Sequence, residues 1–366
     1  VSASTPLPGS VVADAGASRT TRGLAAGRAP RVVHLGRTGE VPGGMVQVLN
    51  SYLKWPFERT AVEVLTSRGA PHDHVAAARA AAGAAAKVLT LPRGEVVVVA
   101  HLSEGGSFLR EGTLLRMAAR RGLATVAHLH GASFASFAAA RPRLTAGVLR
   151  AADVVIALSE ESREVSARFV PAARVHVVPN AIPAGVPAPK QNRIVFGGIV
   201  NRRKGVDVLQ EAWSQLADHG WELVVAGPVP DESLLRRDLP GLRFTGALAH
   251  DELMALLDSS RVAVLPSREE AMPMFLLEAM ARGNAVVSTD VGGVAALLAD
   301  GRGVVVPPGD AAALRDALAG LLTDSSRLEQ LGEAARAGHA SSFSAEAVFP
   351  RVEQLWLDAL TTAARR

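Results

Sequence analysis

From Arg31 onward the chain alternates short, continuously apolar runs rich in valine with longer stretches in which apolar residues recur at helical spacing. In the first half, Arg31–Leu35, Ala61–Thr66, Glu95–His101, Ala124–His128, Asp153–Ala157 and Val175–Val178 read as strands. Helices are predicted around Met45–Leu53, His74–Ala85, Phe108–Arg121, Leu144–Arg150 and Glu160–Phe169. Strands without polar alternation are buried on both faces, so this half predicts a parallel sheet covered by helices on each side. Pro179-Asn180 and the proline-rich stretch 181–189 break the rhythm, and residues 181–191 are expected to link two domains.

The rhythm then restarts. Strands are predicted at Arg193–Phe196, Glu222–Ala226, Arg243–Thr245, Val262–Leu265, Ala285–Ser288 and Gly303–Val306. Helices are predicted at Gly205–Asp218, Asp251–Asp258, Pro273–Ala281, Ala311–Leu322 and Ser326–His339. The expected fold class is α/β, with two doubly wound, Rossmann-like domains at 30–180 and 192–344. Ligands of such sheets collect at the carboxyl ends of the strands, here in a cleft between the domains. A last segment, 345–366, carries Phe349, Val352, Leu355, Trp356 and Leu360 at roughly helical spacing.

Composition narrows the classes. A chain of 366 residues accommodates two domains. Although 48% of residues are apolar, no run approaches the ~20 uncharged apolar residues of a membrane span. The absence of cysteine excludes disulfides and thiolate metal sites. A net charge of +4, spread along the chain, argues against a nucleic-acid partner. Residues 1–29, rich in Ser, Thr, Ala, Gly and Pro, are expected to be a disordered leader; they lack the apolar core of a secretion signal.

The most informative chemistry lies in residues 267–283, where Glu270 falls in a loop and Glu278 more than a turn inside an apolar helix starting near Pro273. Proline suits the first helical position. The free amides of Met274 and Phe275 then form a ready phosphate site at the positive helix end. Carboxylates beside such a site are poor phosphate ligands but good acceptors for sugar and ribose hydroxyls. The combination suggests a nucleotide-sugar pocket. Gly43 and Gly44, at the first strand-to-helix turn, let backbone N–H groups approach an anion. Arg203 and Lys204 lie just before a helix. The dinucleotide-binding glycine fingerprint is absent, which disfavours an epimerase or other dinucleotide enzyme.

The segment from Glu270 to Gly283, followed by Val286–Gly293, resembles the E-x7-E segment of retaining glycosyltransferases of family 4, which have the GT-B fold. The likeness covers the proline after the first Glu, the apolar run, Glu278-Ala-Met-Ala-Arg-Gly283 and the following strand and glycine pair. It implies transfer of a sugar from a nucleotide-diphosphate sugar to a polysaccharide, lipid-linked glycan or small natural-product acceptor. It also implies a C-terminal helix crossing back onto the first domain, and a cytoplasmic protein with at most transient contact with a membrane surface. By the same resemblance Gly43 and Gly44 face the diphosphate, Lys204 holds it, Gly246 of Phe244-Thr-Gly246 borders the base, and Glu270 and His130 meet the transferred sugar. Ser103, Ser107 and Arg110 match a stretch facing the acceptor in bacterial polysaccharide members.

His128 and His130 are expected to turn to opposite sides of an extended segment, with His130, before Gly131, in the cleft. Metal binding there is disfavoured because the pair is taken to diverge and no third ligand is evident. The chain has no D-x-D sequence, so neither a metal nor another cofactor is expected on the diphosphate. One departure stands out. Many members carry Arg directly after the glycine that precedes the lysine motif, and Ile199 stands there (Gly198 if a residue is inserted). Arg202 or Arg203 is the expected replacement, with Arg203, beside Lys204 at the helix start, favoured. A nucleotide-sugar-binding protein impaired in catalysis is the alternative that this loss suggests.

Overall fold

Six strands of the first half, β1 (Arg31–Gly36), β2 (Ala61–Thr66), β3 (Val96–Leu102), β4 (Ala124–Leu129), β5 (Val154–Ala157) and β6 (Val175–Val177), form one parallel sheet in the order β2-β1-β3-β4-β5-β6. Six more, β7 (Gln191–Gly197), β8 (Glu222–Ala226), β9 (Leu242–Gly246), β10 (Ser260–Leu265), β11 (Ala285–Thr289) and β12 (Val304–Val306), form a second in the order β12-β11-β10-β7-β8-β9. The computed structural model describes residues 29–39, 43–69, 74–186, 188–216 and 220–366. The expected leader, apart from Ala29, lies outside the described residues, as does the predicted end of the helix at 217–218.

The central strands β3 and β4 are buried along their whole length, as continuous apolar runs require when helices cover both faces. Each sheet reverses direction once: the first between β1 and β3, the second between β7 and β10. Loops leaving strands on either side of such a reversal diverge to opposite faces and open a crevice at the carboxyl edge. These two crevices fix where ligands can sit.

Two short helices, Phe134–Ala140 and Val294–Leu298, were not foreseen, because segments of two turns or fewer show no resolvable period. Pro273 is also displaced from its expected place. Its ψ of 121 is extended, so it caps the helix Met274–Ala281 rather than occupying its first position.

The C-terminal helix, Ala345–Ala364, packs on β3, β4 and β5 of the first sheet. Trp356 is fully buried and packs edge-on against Tyr52 and at a tilt against Phe57, at ring separations of 5.5 and 4.9 Å. Aromatic pairs of this kind contribute about 0.5–1.5 kcal/mol each beyond area burial. Glu353 accepts from the Arg59 amide and the Thr60 hydroxyl, both at 2.9 Å, which fixes the helix in register. The chain crosses between the sheets twice, side by side: Ile182 donates to the Phe343 carbonyl at 3.3 Å, and the Ala345 amide returns to Ile182 at 3.0 Å. Among the described residues no helix is long and apolar enough to cross a membrane.

Candidate active site between the two sheets

The loops after β7 and β10 flank the reversal of the second sheet, and they lock together. Asn201 caps a short turn at Arg202–Lys204 by accepting from the Lys204 amide at 2.9 Å. Gly205 follows with φ 72, and a Cβ there would lie 1.8 Å from the Pro266 carbonyl oxygen, so only glycine allows the two loops to touch. The Arg268 amide completes the junction by donating to the Arg203 carbonyl at 2.8 Å.

This junction brings Lys204 and Glu270 together. The Lys204 ammonium lies 2.5 Å from Glu270 Oε1, and the Ser267 hydroxyl donates to the same oxygen at 2.7 Å. Glu270 is 7% exposed. Removing one member of so buried a pair leaves an uncompensated charge, which costs roughly 3–5 kcal/mol. Gly292 holds the loop from behind: its φ is 53, and a Cβ would sit 1.8 Å from the Glu270 carbonyl oxygen. The sequence reading matched this glycine pair but gave it no task; Ser267 and Asn201 were missed altogether.

Three arginines border the pair. Arg268 grips Asp207 with two bonds of 2.8 and 2.9 Å, and Arg202 stands 3.6 Å from the same carboxylate. Arg203 donates only to the Glu269 carbonyl, at 3.1 Å. Among the described residues it is therefore the one of these three arginines without an acidic partner. Ile199, 41% exposed, presents a bare apolar surface on the adjoining loop.

The helix Met274–Ala281 is buried at all eight positions. Phe275 packs where a Cβ on Gly197 would be, and Met274 faces Gly44 of the first domain, so the glycine-rich loop meets this helix start. Gly43 has φ 148, a conformation open to glycine, and begins the helix Gly44–Lys54. Glu278 is 5% exposed; burial raises its pKa to about 7, with Arg282 opposing. His250 lies 3.9 Å away, too far for a hydrogen bond, and burial lowers its own pKa, so it does not offset the carboxylate at neutral pH. Gly246 stands apart, at the end of β9 and two strands from β7. At ordinary strand spacing that is about 10 Å from the loop after β7.

On the first domain the structure overturns the expectation for the histidines. Residues two apart on an extended segment share a face, and the His128 and His130 rings are 4.2 Å apart. His101, at the end of β3, supplies the third imidazole that the sequence reading did not see: the ring nitrogens of His101, His128 and His130 lie within 4.8 Å of one another. Divergence and a missing third ligand therefore give no reason to exclude a metal here. As arranged, however, the nitrogens of His101 are committed to hydrogen bonds.

His34 Nδ1 lies 2.8 Å from His101 Nε2, and His101 Nδ1 lies 2.9 Å from His130 Nε2. His34 Nε2 is buried without a partner. An orphaned N–H is rarer in protein interiors than an orphaned acceptor, so His34 donates to His101, His101 donates to His130, and His130 keeps its own proton on Nδ1. Burial holds His34 and His130 at about 3 and lowers His101 and His128 well below the usual histidine range, so the chain is neutral. The signal available in the sequence was a histidine at the carboxyl end of each of three buried strands.

Ser103 and Ser107 sit together at the start of the helix Gly106–Arg120, the Ser103 amide donating to Ser107 Oγ at 3.5 Å. Arg110 is turned inward and donates to Glu111 at 2.9 Å. Hydrogen bonds bridge the domains here: Ser133 Oγ donates to Glu269 at 3.2 Å, and Asn180 donates from its amide to Met272 Sδ at 3.2 Å and from Nδ2 to the Met272 carbonyl at 3.3 Å. A roomier recess elsewhere in the second domain, lined by Lys190, Arg261, Arg282, Glu329, Glu333 and Arg336, lies at the amino ends of β7, β10 and β11. It carries four cations against two carboxylates, and it faces away from the carboxyl-edge loops that bring Lys204 and Glu270 together.

Two family models match in sequence: glycosyltransferase family 4 over residues 54–185, and glycosyl transferases group 1 over residues 191–324. The chain belongs to the group 1/family 4 glycosyltransferases. Relatives of the family include an exopolysaccharide phosphotransferase of Streptomyces coelicolor, 32% identical over 57% of this chain and 24% of that protein. A glycogen synthase of Mycobacterium tuberculosis is 32% identical over 45% of this chain and 42% of its own. The chain thus spans less than half the length of these relatives. Sucrose-phosphate synthase from Thermosynechococcus elongatus has the same fold, with a TM-score of 0.72 at 20% identity, covering 91% of this chain and 99% of that one. So does Anabaena HepE, solved in complex with UDP-glucose, with a TM-score of 0.67 at 18% identity, covering 92% and 100%. The two facing sheets and the returning C-terminal helix are the GT-B fold of the family.

Proposed function

We propose that this protein is a retaining glycosyltransferase that takes a sugar from a nucleotide-diphosphate sugar and transfers it to a glycan, lipid-linked or natural-product acceptor. The observation that carries the reading is the buried Lys204–Glu270 pair at the reversal of the second sheet, beside the start of the helix Met274–Ala281. A diphosphate meets Lys204, Arg203 and the first-turn amides of Met274 and Phe275, while Gly43 and Gly44 close over it from the first domain. Glu278, unpaired and buried, accepts from the ribose hydroxyls, and Gly246 borders the base.

In this reading Glu270 and His130 hold the hydroxyls of the donor sugar. The bond from the anomeric carbon to the diphosphate breaks first, and the leaving oxygen gains charge that Lys204 and Arg203 stabilise. The acceptor hydroxyl attacks the same face of the short-lived oxocarbenium-like sugar and gives its proton to the leaving phosphate. No enzymic nucleophile is needed. Single preorganised donors of this kind contribute about 3–4 kcal/mol to lowering such barriers.

The exposed Ile199 favours a second reading, a nucleotide-sugar-binding protein with weak catalysis. Both are tested by incubating the purified protein with a panel of sugar nucleotides and following release of free nucleoside diphosphate. Turnover of one donor supports the transferase. Tight binding without turnover, with or without glycan acceptors, supports the binding protein.

A further inference from the structure

The recess of about 290 Å³ at the amino ends of β7, β10 and β11 has two chemically different walls. One is the strand edge: Lys190 precedes β7, Arg261 lies at the start of β10, and Arg282 follows the helix Met274–Ala281. The other is the helix Ser325–Gly338, from which Glu329, Glu333 and Arg336 line the recess at three- and four-residue spacing, on one face. Gly332 of that helix sets how close the walls come. A Cβ there would lie 2.5 Å from the Gly283 carbonyl oxygen, so only glycine lets the helix rest on the turn beside Arg282.

Among the described residues, one of the four cations has a carboxylate partner. Arg282 lies 3.0 Å from Asp258 and donates to the Glu278 carbonyl at 3.2 Å. Lys190 donates to the Ser260 carbonyl at 2.9 Å, and Arg261 and Arg336 have no carboxylate within ion-pair distance. The surplus is visible on Lys190: burial lowers its pKa to about 8, Asp258 opposes, and Arg282 and Arg336 push it further down. Half-buried cations without counter-charge are costly, and a bound anion offsets that cost. Guanidinium forks match phosphate geometry with parallel hydrogen bonds. Glu329 and Glu333 are exposed and also lack a cationic partner among the described residues. Like charges four apart on a helix repel. They cannot meet a phosphate, but a carboxylate accepts from hydroxyls. A volume at the lower end of the small-molecule range suits one phosphate on a few hydroxylated carbons.

We propose that this recess binds a small phosphorylated polyol, with its phosphate on Lys190, Arg261, Arg282 and Arg336 and its hydroxyls on Glu329 and Glu333. The site lies at the opposite edge of the second sheet from Lys204 and Glu270 and does not depend on the transferase reading. The probes are inorganic phosphate and ribose 5-phosphate, titrated by calorimetry at constant ionic strength. They are compared in wild type, Arg261→Gln/Arg336→Gln, Glu329→Ala/Glu333→Ala and Lys204→Ala, with thermal melts to check folding. Ribose 5-phosphate is expected to bind the wild type more tightly than inorganic phosphate, and the arginine variant to lose at least about 10-fold for both. The glutamate variant is expected to bind the two probes equally, because the hydroxyl acceptors are gone. Lys204→Ala is expected to keep the wild-type affinity at this site. Should the arginine variant melt early, Arg336→Gln alone, at an exposed position, is expected to weaken both probes in the same direction. Equal affinity for ribose 5-phosphate in wild type and arginine variant overturns the proposal. So does binding that is lost in Lys204→Ala and kept in the arginine variant, which belongs to the donor cleft. Inorganic phosphate binding as tightly as ribose 5-phosphate in the wild type overturns the polyol class.

Discussion

The two sides of the cleft handle charge in opposite ways. On the second domain Lys204 is matched by Glu270, and Arg268 by Asp207, each at hydrogen-bonding distance. On the first domain Arg110 is bonded to Glu111 while Arg37 and Arg68, among the described residues, have no carboxylate bonded to them, and three histidines share protons along a neutral chain. A surface whose charges are already matched is preorganised and rigid; one with surplus cations is incomplete until something binds. Lys204 and Glu270 are therefore set before any ligand arrives, whereas Arg203 beside them and the arginines of the first domain still lack a full counter-charge. Preorganised charge acts on the reaction barrier, and surplus charge acts on affinity.

The contrast can be broken most severely at the matched pair. Lys204→Ala is expected to lower turnover by about 100- to 1,000-fold, the range for losing one preorganised donor at a developing anion; steady-state release of nucleoside diphosphate measures it. Gly292→Ala comes next. Its methyl forces the Glu270 carbonyl away, and a displacement near 1 Å costs about 100-fold in turnover, although no charge has changed.

Glu278→Gln sharpens the comparison through pH. In the proposed donor site the ribose hydroxyls favour the carboxylate form of Glu278, whose pKa burial raises to about 7. Nucleotide affinity in the wild type is therefore expected to rise with pH, levelling above about 7, and calorimetry should record proton release on binding. Glu278→Gln should bind roughly 10- to 150-fold more weakly and without that slope. The sign for stability is the reverse. A carboxyl whose folded pKa is raised favours the fold when protonated, so the unliganded wild type loses stability as pH climbs from the ordinary carboxylate range through about 7. A smaller effect, about 10-fold in turnover, is expected for His101→Phe, near the upper end of what one neutral hydrogen bond contributes. Nitrogen NMR of the rings should show His130 protonated on Nδ1 in the wild type and a mixture of tautomers in the variant; an unchanged spectrum removes His101 as a positioning residue. Ile199→Arg should move turnover least, downward by a few-fold through like charge against Arg203 (about 1 kcal/mol). A large gain instead shows that Arg203 does not supply the second cation.

The sequence made the donor side legible and left the acceptor side largely dark, for a physical reason. Glu270, Pro273 and Glu278 lie within nine residues, and Lys204 sits in a second short motif, so local spacing carries their arrangement. All twelve strands of the described residues were legible as well: the buried parallel strands leave uninterrupted apolar runs, and the partly exposed edge strands β2 and β9 fall in the same alternation with helices. The contact between His34, His101 and His130 depends on three strands being neighbours in the sheet, and the meeting of Arg37 with Arg68 depends on β1 lying beside β2. Strand order is not written in hydrophobic period. The misjudged facing of His128 and His130 had a simpler cause: residues two apart on an extended chain point the same way. Ser267 and Asn201 were invisible because their work is done on loop conformations that no periodicity encodes.

The donor site is tested most directly by separating the two ends of the nucleotide. Wild type, Lys204→Ala and Glu278→Ala are titrated with a nucleoside diphosphate and with the matching free nucleoside. Lys204→Ala is expected to lose affinity for the diphosphate and keep it for the nucleoside, while Glu278→Ala loses both by about 1.5–3 kcal/mol. Unchanged diphosphate affinity in both variants would contradict a nucleotide-sugar site built on Lys204, Glu270 and Glu278.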